Sequence, residues 1–270
     1  MLFRSFLACS DKKSGADVQS GKVVIKGSNT IGEELAPRLI AEYKKQKPGI
    51  TVELESKGTA SGFSGLFSNQ CDIAAASRVV NPTELTFATS NNIALNCHMV
   101  GSYAVGVILN ASNSVSNISR DQVRDIFTGI IQNWKQVGGA DAPIHLCGRD
   151  PISGTYLGFR ELAMEDKPYA SSLKTFTNYP AIVDAVTQDP NAIGYCGMNL
   201  LTKPGIKALS IRGVSPDVLA VNESRYPLAR VLRLYTDKSK ESPATRDFIE
   251  FVQSSRGQEI LTELGYVPRP

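Results

Sequence analysis

From residue 23 onward the chain repeats one unit: a short apolar run, a break of Gly, Ser, Thr or Asn, and then a stretch with helical period. The run 23–25 breaks at Gly27-Ser28-Asn29-Thr30, and Ile31, Leu35, Leu39, Ile40 and Tyr43 follow at helical spacing. Glu33 and Glu34 fall in the first turn of that predicted helix and Lys44, Lys45 and Lys47 at its end, which suits the helix dipole. Pro37 places the start of the regular helix near itself, because a proline is tolerated only in a first turn. Pro48-Gly49 turns the chain into a strand at 50–54, followed by Gly58-Thr59-Ala60-Ser61-Gly62 and another helix. A strand at 73–76 ends on Ser77-Arg78, and a strand at 144–147 leads into Arg149-Asp150-Pro151-Ile152-Ser153-Gly154-Thr155 and a helix to Met164. Ser119 with Gln122 is a capping box, Ser242-Pro243 a helix start and Gly265 a helix stop.

Such alternation predicts an α/β protein with mostly parallel sheets covered by helices. Two extended apolar stretches, 99–109 and 228–235, lack a helical period and read as crossings between two lobes. The expected architecture is therefore two-lobed, of the venus-flytrap type, each lobe a mostly parallel sheet with helices on its faces. Residues 21–104 and 229–270 would form lobe 1, 105–228 lobe 2, and 1–20 a signal remnant or lipoprotein tether. With 42% hydrophobic and 20% charged residues the chain is composed like an ordinary globular protein, which excludes disorder. A net charge of +3 without a concentrated basic stripe gives no support to nucleic-acid binding.

The N-terminus, Met1-Leu2-Phe3-Arg4-Ser5-Phe6-Leu7-Ala8-Cys9, is too short for a membrane span and resembles the end of a secretion signal. Phe6-Leu7-Ala8-Cys9 has the form of a degenerate lipobox, making Cys9 a candidate lipidation site. These features predict a periplasmic or extracytoplasmic protein that meets the membrane only through a lipid anchor. Cys71, Cys97, Cys147 and Cys196 form no CxxC pair, so no metal site is expected and they read as buried free thiols. Were any two bonded, Cys147 and Cys196 would be the pair, since both lie in strands of one lobe.

Four loops share the strand, small hydroxyl residue and (in most cases) helix design: Ser28-Asn29-Thr30, Thr59-Ala60-Ser61, Ser77-Arg78, and Arg149 with Ser153-Gly154-Thr155. Ligands of parallel α/β sheets bind beyond the carboxyl ends of the strands. Helix N-termini there present free N–H groups, hydroxyls add neutral donors, and arginine adds a fork that matches oxyanion oxygens. The pattern predicts an anion site and leaves the anion open. An enzyme such as a phosphatase or esterase is the rival. It lacks a Gly-x-Ser-x-Gly elbow, and His98 and His145 read as packed strand residues rather than bases for a nucleophile. No cofactor is expected.

Gly27-Ser28-Asn29-Thr30-Ile31-Gly32, residues 72–78 and Arg149–Thr155 resemble the substrate-binding protein of the phosphate ABC transporter. So do residues 125–129 with Asn133-Trp134, residues 192–195, and Gly257-Gln258 with Gly265-Tyr266-Val267-Pro268. The resemblance implies a monomeric receptor that binds inorganic phosphate between its lobes and delivers it to transporter permease subunits. A phosphate sensor or scavenging lipoprotein, or a receptor for sulfate or molybdate, would share the fold. The implied contacts are Thr30, the Ile31 backbone, Thr59, Ser61, Ser77, Arg149, Ser153, Gly154 and Thr155. Members of that family carry an Asp after the third-loop Ser, which accepts the proton of hydrogen phosphate. Arg78 stands there in this chain and would add a second positive fork instead.

Overall fold

The computed structural model describes residues 21–269; the N-terminal segment with Cys9 lies outside them. The chain runs through β1 (Gly21–Gly27), α1 (Asn29–Gly32), α2 (Leu35–Gln46), β2 (Ile50–Ser56), α3 (Thr59–Phe67), β3 (Ile73–Ala76), α4 (Pro82–Ser90) and β4 (Leu95–Asn110). It continues as β5 (Asn117–Ile118), α5 (Arg120–Phe127), β6 (His145–Arg149), α6 (Gly154–Met164), β7 (Lys174–Phe176), α7 (Tyr179–Gln188) and β8 (Ala192–Gly197). It closes with β9 (Ile206–Ala208), β10 (Ser210–Ile211), α8 (Val218–Asn222), β11 (Ala229–Asp237), α9 (Pro243–Gln253), α10 (Ser255–Glu263) and β12 (Val267–Pro268).

The main sheet has the strand order β2-β1-β3-β11-β4-β8-β6-β7, with β9 and β12 also on β4. β1 pairs in parallel with β2 and β3, and β6 in parallel with β7 and β8. Between these parallel groups run the long strands β4 and β11, which join them antiparallel. β4 pairs with β11 as far as Ala104 and with β8 from Val105 onward. From Val100 to Asn110 it is buried on both faces, which is why that stretch shows an unbroken apolar run rather than an alternation. The two stretches that lack a helical period in the sequence are thus the strands that traverse the molecule.

Early and late elements of the described residues meet in one half. Tyr43 of α2 packs against Phe248 and Phe251 of α9, and its hydroxyl donates to Asp247 at 2.6 Å. The first predicted helix is in fact two, α1 and α2, broken at Glu33-Glu34. Those glutamates therefore sit at a junction and not in a helical first turn. Pro37 is the third residue of α2, where its missing N–H is one of the unpaired donors of a first turn. The capping box of α5 forms, with Ser119 Oγ accepting from Gln122 N at 3.0 Å and Gln122 Oε1 accepting from Ser119 N at 2.7 Å.

Cys71, Cys97, Cys147 and Cys196 are free. Cys147 and Cys196 share a cluster beneath α7, but the register pairs Leu146 with Ile193, which leaves Cys196 two residues beyond the point opposite Cys147. That offset, and not the choice of lobe, keeps the pair unbonded. Cys97 is exposed rather than buried.

Candidate functional site

The first loop is set by close approach of two strands. Gly27 has φ +137°, and a Cβ there would lie 2.1 Å from the Ala75 carbonyl oxygen. Only glycine lets β1 close on β3 at that point, and Ser28 N then donates to Ala75 O at 2.9 Å. Asn29 Oδ1 accepts from Gly58 N at 3.1 Å and so ties the first loop to the second. The third loop joins through Thr59, whose Oγ1 accepts from Ser77 N at 3.2 Å and lies 3.3 Å from Ser77 Oγ.

Ser28, Asn29, Gly58, Thr59 and Ser77 form one wall of a cavity of about 250 Å³. The opposite wall is Leu157, Arg160 and Glu161 of α6, with Asp166 beyond the helix end. The cavity thus lies between the two halves of the molecule, where α6 packs on α1. Ser28 is 2% exposed and its Oγ has no hydrogen-bond partner; Arg160 Nε is likewise buried and unpartnered. Leaving such a donor unpaired costs about 1–3 kcal/mol, so both are poised for an acceptor. Glu161 is held by Arg230, and Asp166 Oδ1 lies 3.8 Å from Arg160 Nε.

Arg149, Ser153 and Thr155 form a second polar group at the start of α6. Arg149 Nη1 donates to Thr155 Oγ1 at 3.0 Å, Thr155 Oγ1 lies 2.7 Å from Ser153 Oγ, and Thr155 N donates to Ser153 Oγ at 3.2 Å. The guanidinium stands over the Tyr179 ring at 5.4 Å, a cation–π contact, while its backbone N–H donates to Tyr195 Oη at 3.0 Å. Tyr195 in turn stacks on Phe159 at 4.0 Å, so Arg149 rests on a stiff aromatic bed. Arg149 Nε is buried without a partner, and so is Asp150 Oδ1. This group does not line the cavity; Thr155 and Arg160 are five residues apart on one helix, about 7.5 Å of rise. Arg149 does face the other half. Burial raises the Glu34 carboxyl above the usual carboxylate range, and the Arg149 charge partly offsets it. Glu33 is also raised, by burial and then by the nearby Glu161 charge.

Several expected contacts lie elsewhere. Arg78 does not reach the cavity: both arms of its fork are taken by Glu84, at 2.8 Å each, and it lies over the Phe63 ring at 5.5 Å. Glu84 is itself fixed by a capping box with Asn81 at the start of α4. Burial pushes its carboxyl up, but the Arg78 and Asn81 hydrogen bonds outweigh that and hold it below the ordinary value. Ser61 Oγ donates back to Gly58 O at 2.8 Å, within the first turn of its own helix. Thr30 and Ile31 are buried in α1 outside the cavity wall, where Thr30 O accepts from Tyr266 Oη at 3.1 Å. Gly154 opens α6. Neither histidine lines the cavity. His98 contacts Thr236 and Glu241, whereas His145 is exposed and paired with Asp189 at 2.7 Å rather than packed. A larger groove of about 650 Å³ between β6, β7 and α7 gathers none of the loop residues.

Sequence reasoning passed over Arg160, Glu161 and Asp166. Their signal was helical spacing: Arg160 lies seven residues after Ser153, two turns along the same face.

A family model described as a PBP superfamily domain matches residues 13–256. The chain belongs to the PBP superfamily. Solved neighbours have the two-lobed periplasmic-binding-protein fold. This PBP-superfamily chain is 28% identical over 260 residues to the phosphate-binding protein PstS of Bacillus subtilis, covering 96% of this chain and 84% of that one. It matches the crystal structure of a "possible phosphate binding protein" from Planctomyces limnophilus with TM-score 0.86, at 25% identity over 93% of this chain and 94% of that one. An ABC-type phosphate transport receptor from Vibrio cholerae aligns with TM-score 0.70 and 25% identity, over 91% and 99% of the two chains.

Proposed function

We propose that this PBP-superfamily chain is an extracytoplasmic receptor that binds inorganic phosphate between its lobes, for uptake by an ABC transporter, and does no chemistry on it. The observation that carries the reading is the cavity between the halves, walled by neutral hydroxyl and amide groups on one side and by Arg160 on the other. Its donors match a tetrahedral oxyanion, and the relatives named as phosphate-binding proteins identify which one. Glu161 and Asp166 on the same wall favour an anion that still carries a proton, because a carboxylate can accept that proton but only repels a bare oxygen. Phosphate near neutral pH meets that condition and sulfate does not. Arg78 adds no second positive fork to the cavity, since it is bound to Glu84. Within this reading the lobes are residues 21–104 with 229–270, and 105–228, and the exchange of β4 partners between Ala104 and Val105 supports that division.

Calorimetry of the purified chain with inorganic phosphate tests the proposal. One site per chain is expected, with sulfate competing only weakly at pH 7. Absence of phosphate binding in a folded protein would refute it.

A further inference from the structure

We propose that Arg160 is an anion-binding residue of the interlobe cavity, acting from the second lobe where the sequence had pointed to Arg78. The proposal rests on the phosphate reading and deepens it by naming the cation of the site. Three observations converge on Arg160. Its residue lines the cavity opposite Ser28, Thr59 and Ser77. Its Nε is buried with no hydrogen-bond partner, as is the Oγ of Ser28, a residue of the opposite wall. Its nearest carboxylate, Asp166, stands at 3.8 Å, a distance of charge pairing but too long for a hydrogen bond.

The other arginines near the site do not line the cavity. Arg78 is clamped by Glu84 and Arg230 by Glu161, while Arg149, whose Nε is also unpartnered, stands with Thr155 at the far end of α6. Arg160 is thus the cavity-lining cation with a donor to spare among the described residues. Asp166 acts as its positioning partner. Asp166 N donates to Arg160 O at 3.1 Å, and Glu165 and Asp166 both adopt left-handed backbone, φ +54° and +59°. This turns the chain at the end of α6 so that the Asp166 carboxylate returns beside the guanidinium. At that separation the pairing, made through Nε, steadies the arginine without a hydrogen bond, so the guanidinium N–H groups remain for a ligand oxygen. A tetrahedral anion bound here would then be held by hydroxyl donors from one lobe and a guanidinium from the other, so that binding and lobe contact reinforce each other.

The test is calorimetry with inorganic phosphate on the wild-type chain, Arg160→Gln, Arg160→Lys and a control, Arg246→Gln, which removes one surface charge away from the cavity. Circular dichroism verifies that each is folded. Arg160→Gln should weaken phosphate binding about tenfold or more, as loss of a charged hydrogen bond implies, while the control stays within about twofold. The loss should persist at high salt, where a mere field effect would be screened. Arg160→Lys keeps the charge without the Nε donor and should fall between them, which preserves the test if Arg160→Gln is unstable. Wild-type affinity in a folded Arg160→Gln or Arg160→Lys protein overturns the assignment and leaves the phosphate reading intact. If the wild-type chain binds no phosphate, the reading itself fails. Repeating the four titrations with arsenate and sulfate then decides whether Arg160 serves another oxyanion; equal affinities, or no binding at all, overturn it there too.

Discussion

Arg78 follows β3 and Arg149 ends β6, and nothing in their immediate neighbours tells them apart. Their fates differ because of residues several positions away. Asn81-Pro82 with Glu84 opens α4, and the capping box delivers the Glu84 carboxylate to the Arg78 fork. Arg149 instead meets Thr155 and a tyrosine face, neither of which neutralises it, and keeps Nε unpartnered. Although Arg149 stands outside the cavity, its charge is not neutralised and acts on a bound anion through space, so we expect Arg149→Ala to weaken phosphate binding about fivefold and Arg78→Ala to leave it within about threefold. Parallel titrations of the two folded variants check this; equal losses would mean that ligand binding releases Arg78 from Glu84. The small hydroxyl residues were legible in the sequence, since Ser28, Thr59 and Ser77 do converge on one cavity. Side-chain commitment was not legible, because it depends on which partner the fold brings within 3 Å.

Among the elements, the strand-to-helix junctions carried the clearest signals. The caps at Ser119 and Ser242 start helices where the residue pattern put them. Pro37 marked the start of the regular helix, and α2 begins two residues before it, but the separate short helix α1 was not read, since Glu33 and Glu34 are good helix formers. The division of α9 from α10 falls at Ser254, which caps the second helix with its Oγ accepting from Gly257 N at 3.3 Å. The tightest junction is β1 to α1. A methyl group at Gly27 would collide with the Ala75 carbonyl in a backbone conformation that other residues rarely take. Gly27→Ala should cost about 2–4 kcal/mol from strain and overpacking combined. Denaturant unfolding measures it, and a loss below about 1 kcal/mol would show that β1 and β3 can part without harm.

At the scale of the whole molecule, the site depends on two halves joined by β4 and β11. The alternation of strands and helices revealed the class of fold, but the antiparallel entry of these strands was hidden because direction leaves no mark on an apolar run. Val105 N donates to Leu228 O at 3.2 Å, and Tyr226 Oη donates to Val105 O at 3.2 Å, so the crossings are bonded to each other where β4 changes partners. A receptor whose walls come from both halves should close on its ligand about this point. Small-angle scattering should show a smaller radius of gyration with saturating phosphate, and an unchanged profile would indicate a rigid pocket.

Because β4 is a single strand of 16 residues, it also keeps both halves in phase. Beyond the irregularity at Val100, where Leu232 pairs with Gly101 and Arg233 with Met99, side chains alternate along β4, so the parity of residues between the β11-paired and β8-paired segments decides which face each half turns to its helices. One residue inserted between Ala104 and Val105 would reverse that parity, presenting helix-facing positions of one half to the wrong side. Two residues inserted at that point should therefore cost the fold less than one, because a pair restores the phase that a single residue breaks.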